Sequence, residues 1–192
     1  MGTNTNNNRT RTQQLVTDAM LAAMAVALGY MSIRIGNIMK ISLEDFPVIF
    51  AALMFGPVDG MVVAGVGILI YQLLSYGITA TTVLWIIPFV VAGAVAGLYA
   101  KRAGFNNSRK ELIIIFIVCE LIIWALNSGA IYADAKIFGY YYPGIVSGML
   151  LIRLGTALAK GIVLGVVSQP VLKALSKYTG NGLGGRCSEK KK

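Results

Sequence analysis

Apolar positions along the chain gather into six runs, at residues 15–31, 46–55, 61–74, 83–100, 112–126 and 145–175. The breaks between them are polar or carry glycine and proline. The first 14 residues, MGTNTNNNRTRTQQ, contain no apolar run and read as a disordered arm. No small-residue cleavage site follows the first run, so the start is not a signal peptide. The second run is short and would have to begin near Leu43 to approach spanning length, so a re-entrant element is its alternative. Gly56-Pro57-Val58-Asp59-Gly60 is a tight turn, and Ser75-Tyr76-Gly77 breaks the third run. The fourth holds Pro88, with Gly93 and Gly97 at small-xxx-small spacing; a basic loop, 101–110, follows. Glu120 alone interrupts the fifth run, after which 127–144 is polar and aromatic. The sixth carries Arg153 and Lys160. Residues 177–192 form a basic, glycine-rich tail. At roughly 20 residues per span, this pattern predicts an all-α integral membrane protein. It is a bundle of six transmembrane helices over residues 15–176 with a short second helix.

Composition agrees. The chain of 192 residues is 56% hydrophobic and 13% charged, with a mean hydropathy of +0.70, against roughly 45–50% and about 25% in soluble domains. Having no histidine excludes imidazole triads and imidazole metal sites, and the two cysteines, Cys119 and Cys187, form neither a disulfide framework nor a zinc knuckle. There is no HExxH, GxSxG or Walker A sequence, so neither enzyme chemistry nor a cofactor or metal is expected. Nor is there room for a nucleotide-binding domain of about 150 residues; any ATP hydrolysis belongs to a partner. The net charge of +9 does not indicate nucleic acid, because the basic residues lie between and beyond the apolar runs rather than along one soluble face. With six spans, one side holds Arg9, Arg11, Lys101, Arg102, Arg109, Lys110, Lys173, Lys177, Arg186 and Lys190 to Lys192; the other holds Arg34, Lys40 and Lys136. That asymmetry places both termini in the cytoplasm.

Several residues stand out against this background. Ala19, Ala23 and Ala27 recur every fourth position, on one helix face. Their small side chains let another helix approach closely, either a partner's helix or one of the same bundle. Gly93/Gly97 and Ala157/Gly161/Gly165 repeat the pattern and read as internal packing. Arg153 and Lys160 lie two turns apart at membrane depth, where a charge must find a partner. Glu120 is the one carboxylate at comparable depth, which predicts a buried Glu120–Lys160 pair and leaves Arg153 to meet an anion. The outward stretches concentrate recognition-type residues: Arg34, Asn37, Lys40, Glu44 and Asp45 in the first, and Asn127, Ser128, Tyr132, Asp134 and Tyr140-Tyr141-Tyr142 in the third. Trp85 begins the fourth span; an interfacial aromatic belt is the alternative for it.

The chain resembles the substrate-binding membrane subunit, or S component, of energy-coupling factor (ECF) vitamin transporters. The likeness covers about residues 15–176. It rests on the six-span basic architecture, the Ala19-x-x-x-Ala23 stripe, the run from Ile41 to Gly60 with its GPxxG turn, and the stretch from Glu120 to Arg153 with Asn127-Ser-Gly. Many relatives have an acidic residue late in the third helix, where this chain reads Ile70-Tyr71-Gln72. The resemblance implies a multi-pass protein of the cell membrane that captures a water-soluble vitamin outside. It also implies a transmembrane coupling subunit, docked on Ala19, Ala23 and Ala27, and two ABC-type ATPases. The expected vitamin is anionic, folate before pantothenate. Its expected contacts are Arg34, Asn37, Lys40, Trp85, Asn127, Tyr132, Tyr141 and Arg153. A self-sufficient channel or secondary transporter, and a non-transporting membrane scaffold, are the readings from other classes.

Overall fold

The computed structural model describes residues 3–35, 39–103, 109–141 and 144–178. In chain order these form α1 (Thr3–Tyr30), β1 (Ile33–Ile35), β2 (Met39–Ile41), α2 (Asp45–Phe55), α3 (Pro57–Tyr76), α4 (Thr82–Arg102), α5 (Arg109–Ile137) and α6 (Gly144–Tyr178). The architecture is a helical bundle. Its one departure from an all-α design, among the described residues, is the antiparallel hairpin of β1 and β2, in which Arg34 stands opposite Lys40.

The short helix α2 is the centre of the molecule. After Asp45 at its start it is apolar all round, and every residue from Pro47 to Met54 is buried against α1, α3 and α4, as expected of a helix stretch with no polar face. Gly56 reverses the chain at φ 110, and Pro57 opens α3 at its first position, where a missing N–H has no consequence. Gly56 therefore needs a glycine's freedom. The α2–α3 hairpin packs on α4 backbone to backbone. A Cβ added to Gly97 would lie 2.3 Å from Pro57 Cα, and one on Gly93 would lie 2.9 Å from Gly60. Gly161 and Gly165 of α6 likewise face Ile117 and Ile113 of α5. Such close approach replaces the hydrophobic effect as the source of helix association in lipid.

Among the described residues, four stretches are long and apolar enough to cross a membrane: α3, α4, residues 110–137 of α5 and residues 150–171 of α6. At 1.5 Å per residue, α2 spans only about 16 Å of a core roughly 30 Å thick. Two expectations need correction. The backbone of α1 is helical back to Thr3, where the sequence reads an arm as far as residue 14, because no proline or glycine between 3 and 14 stops the helix. And α5 does not end at Leu126. It continues to Ile137 through the helix formers Ala125, Ala130, Ala133 and Ala135, so Asn127, Ser128, Tyr132 and Asp134 ride on a helix and not in a loop. The basic tail from 179 onward lies outside the described residues.

Candidate ligand-binding site

One end of the bundle carries the hairpin, the α3–α4 connection and the end of α5. There a cavity of about 340 Å³ opens between α3, α4 and α5, within the roughly 300–1,000 Å³ range of small-molecule pockets. Tyr71, Gln72 and Tyr76 line it from α3, Thr79 and Thr81 from the connection, Trp85 from α4, and Asp134 and Phe138 from α5. The chain leaves α3 at Gly77, φ 73. The Thr79 N–H donates to Thr82 Oγ1 at 2.9 Å, and the Thr79 hydroxyl lies 3.0 Å from that of Thr82 and 3.3 Å from that of Thr81. These bonds hold the connection in one shape and present hydroxyls at the cavity wall.

The aromatic wall is braced from behind. Tyr71 meets the edge of Tyr76 at 6.3 Å and of Tyr30 on α1 at 5.6 Å, separations at which edge-to-face pairs are favourable. Gly29 admits this packing: a Cβ there would fall 2.7 Å from both the Tyr71 ring and Glu44 Oε2. At the end of α5, the Tyr140 hydroxyl donates to Asp134 Oδ2. That bond, with some burial, pushes the phenol up to about 12.

Of the described residues expected at the site, the cavity brings in Trp85 alone. Tyr132 and Tyr141 pack edge to face on each other at 5.3 Å, with Lys136 Nζ 5.7 Å above the Tyr132 ring. Asn127 lies on α5 with its side-chain oxygen buried and unbonded among the described residues. Arg153 is half-buried on α6, has no ion-pair partner among the described residues, and is not in the lining. Asn37 and the side chains of Arg34 and Lys40 lie outside the described residues. The sequence does not single out Tyr71 and Gln72 as ligand contacts, because two polar-edged residues inside an apolar run read as part of a span. Their adjacency to the Ser75-Tyr76-Gly77 break was the available signal.

A second cluster lies deeper. Lys160 Nζ is 2.9 Å from Glu120 Oε2 and also pairs with Asp45, and it donates to the Ser42 carbonyl at 3.3 Å. The pair expected from depth is therefore a triad. Asp45, read from the sequence as an outer recognition residue, is fully buried at the start of α2, where it meets α5 and α6. Glu44 is buried too.

Ala19, Ala23 and Ala27 are all exposed on α1, beside Leu15, Met20 and Met24, while Ala22 and Ala25 turn inward onto Gly67 of α3. Among the described residues no group of three or more potential metal ligands occurs.

Residues 13–174 match the family described as ECF transporter, substrate-specific component. The riboflavin transporter RibU of Staphylococcus aureus (strain TCH60) is 29% identical over 189 residues, covering 89% of this chain and 94% of that protein. Among solved structures, the chain is similar to the S component for biotin from an ECF-type ABC transporter, with a TM-score of 0.65 and 18% identity over 86% of this chain and 94% of that one. It is also similar to the S component of a bacterial ECF transporter, with a TM-score of 0.60 and 21% identity over 89% and 99%. At those identities the two structures speak for the fold.

Proposed function

This chain belongs to the family of substrate-specific components of ECF transporters, and from that premise we propose that it is the riboflavin-capturing subunit of a vitamin importer. It is a multi-pass protein of the cytoplasmic membrane and not an enzyme. In this reading all six helices are embedded, both termini are cytoplasmic, and the cavity opens outward. The exposed stripe of Ala19, Ala23 and Ala27 takes a helix of the coupling subunit, which works with two ABC-type ATPases to deliver the vitamin inward.

The observation that carries the choice of vitamin is the cavity lining. Its walls are aromatic, its polar groups are hydroxyls and an amide, and Asp134 is the one charged side chain among the described lining residues. Such a site suits a flat, neutral, hydroxyl-bearing ligand. An anionic vitamin would bring its carboxylate beside Asp134, and the preference for folate and pantothenate rested on Arg153, which the cavity does not include. The similarity to a riboflavin transporter supports the same choice.

The test is equilibrium binding of the purified protein to riboflavin, folate and pantothenate, with Arg153→Gln beside the wild type. Riboflavin should bind tightest, and Arg153→Gln should leave its affinity within about two-fold, as for a change away from the site. Tighter binding of folate or pantothenate, abolished by the Arg153 change, would reinstate the anionic ligand.

A further inference from the structure

The end of α5 places three side chains in one turn. Gly139 adopts φ 76, and the Tyr140 N–H donates to the Ala135 carbonyl at 3.0 Å while the Phe138 N–H donates to that of Asp134, also at 3.0 Å. This is the left-handed glycine stop of a helix, closed by a bond that reaches back five residues. The stop fixes where Phe138 and Tyr140 go. Phe138 joins Asp134 in the cavity wall, and Tyr140 folds back so that its hydroxyl meets Asp134 Oδ2.

Asp134 is badly placed for a structural carboxylate. It sits in the last turn of a long helix, where the unsatisfied carbonyls give the end a partial negative charge. Lys136, the basic residue of that turn, lies over the Tyr132 ring instead. Among the described residues, the donor to the Asp134 carboxylate is a phenol on a residue that is itself half exposed. An ionised carboxylate offers about four acceptor positions, so one tyrosine leaves most of its capacity facing the cavity and its mouth.

We propose that Asp134 is the specificity-determining residue that accepts the hydroxyl groups of the ligand's polyol chain, and that Tyr140 supplies a stand-in hydroxyl when the cavity is empty. This rests on the riboflavin reading and adds an orientation to it. The flat ring lies inward against Tyr71, Tyr76 and Trp85, and the polyol lies toward Tyr140. Exchange of one neutral O–H donor for another keeps the bond type and the charge unchanged, so it costs little. A carboxylate or phosphate in the same place would meet like charge. The Tyr140 hydroxyl keeps its proton at any working pH, since its ionisation is pushed up to about 12.

The experiment is a binding matrix with the purified full-length protein. The ligands are riboflavin and lumichrome, the related ring system without the polyol chain; the proteins are wild type, Asp134→Asn and Tyr140→Phe. Asp134→Asn should weaken riboflavin roughly ten-fold or more, the range of a lost charge-assisted hydrogen bond, and leave lumichrome unchanged. Retained lumichrome binding also shows that the variant is folded. Tyr140→Phe keeps the ring and removes the competing hydroxyl, so riboflavin should bind more tightly and lumichrome as before. The proposal is overturned if Asp134→Asn weakens both ligands equally, if it weakens neither, or if Tyr140→Phe weakens riboflavin. A wild type that binds neither flavin would instead remove the riboflavin reading, and this inference with it.

Discussion

Replacing Lys160 with methionine keeps the length of the side chain and deletes the ammonium that holds α2, α5 and α6 together. The ammonium lies 2.9 Å from Glu120 Oε2 and contacts Asp45 as well, and both carboxylates are almost wholly buried. At an effective dielectric constant of about 20, an ammonium and one ionised carboxylate about 3 Å apart attract by about 6 kcal/mol; one carboxylate of the triad balances the charge and the other accepts a hydrogen bond. Much of this offsets desolvation, which is itself several kcal/mol per buried ion. Losing one partner leaves the other charges uncompensated, and the net penalty is about 3–5 kcal/mol. That is about a fifth or more of the roughly 5–15 kcal/mol by which a typical domain is stable. It corresponds to roughly a hundred- to several-thousand-fold in the folding equilibrium at about 1.4 kcal/mol per decade. Asp45→Asn should be destabilising in the same way. The Lys160→Met/Asp45→Asn double variant should be less destabilised than the sum of the singles by about 1–3 kcal/mol. The assay is reversible unfolding in mixed detergent micelles followed by tryptophan fluorescence, without vitamin, because ligand binding would shift the apparent stability. Additivity of the two changes to within about 0.5 kcal/mol would refute an energetic coupling between α2 and α6 through this ammonium.

Three further outcomes follow from the packing and the site. Gly97→Ala should destabilise the bundle by about 1–3 kcal/mol, since its Cβ would fall 2.3 Å from rigid Pro57 backbone, whereas Gly65→Ala, which meets nothing within 4 Å, should be neutral or slightly stabilising; thermal unfolding of the two variants compares them directly. Ala23→Trp should abolish vitamin uptake in cells while the purified subunit still binds riboflavin, because only close approach by a partner helix is lost; a parallel loss of binding would make the stripe part of the bundle's own packing. The raised Tyr140 ionisation gives a defined sign: the neutral phenol is favoured in the folded protein, so its stabilising bond is fully present below the ordinary tyrosine value near 10 and is lost as pH rises through about 12. Spectrophotometric titration should therefore show that Tyr140→Phe removes a phenol from the late-titrating fraction, and removal from the early fraction would contradict the Asp134 bond.

The one-dimensional properties of the sequence determined the class of molecule. Run length and polarity are sums over neighbours in the chain, and they suffice for a helical membrane bundle with a short second helix. The depth of Glu120 and Lys160 within their runs was also enough to bring them together, because a charge far from water has few places to go. Small residues at fourfold spacing marked close helix approaches at Gly97 and Gly161, since that spacing survives as a stripe on the helix surface.

Tertiary structure decided everything that depended on which face meets which. Asp45 is 115 residues from Lys160 in the chain, and its place beside a polar loop gave no sign that α2 turns it into the core. Helix α5 runs past the end of its apolar stretch because helix propensity and the glycine stop at Gly139, not hydrophobicity, set its end. That extension carries Asp134 and Phe138 up to Tyr71, Gln72, Tyr76 and Trp85. The cavity is made by residues that share no motif and meet only when three helices converge, which is why one of the expected contacts, Trp85, lines it while Arg153 does not. The direction of Ala19, Ala23 and Ala27 was equally open in the sequence: a stripe of alanines fits any neighbour, and only the packing of Ala22 and Ala25 on Gly67 turns that stripe outward.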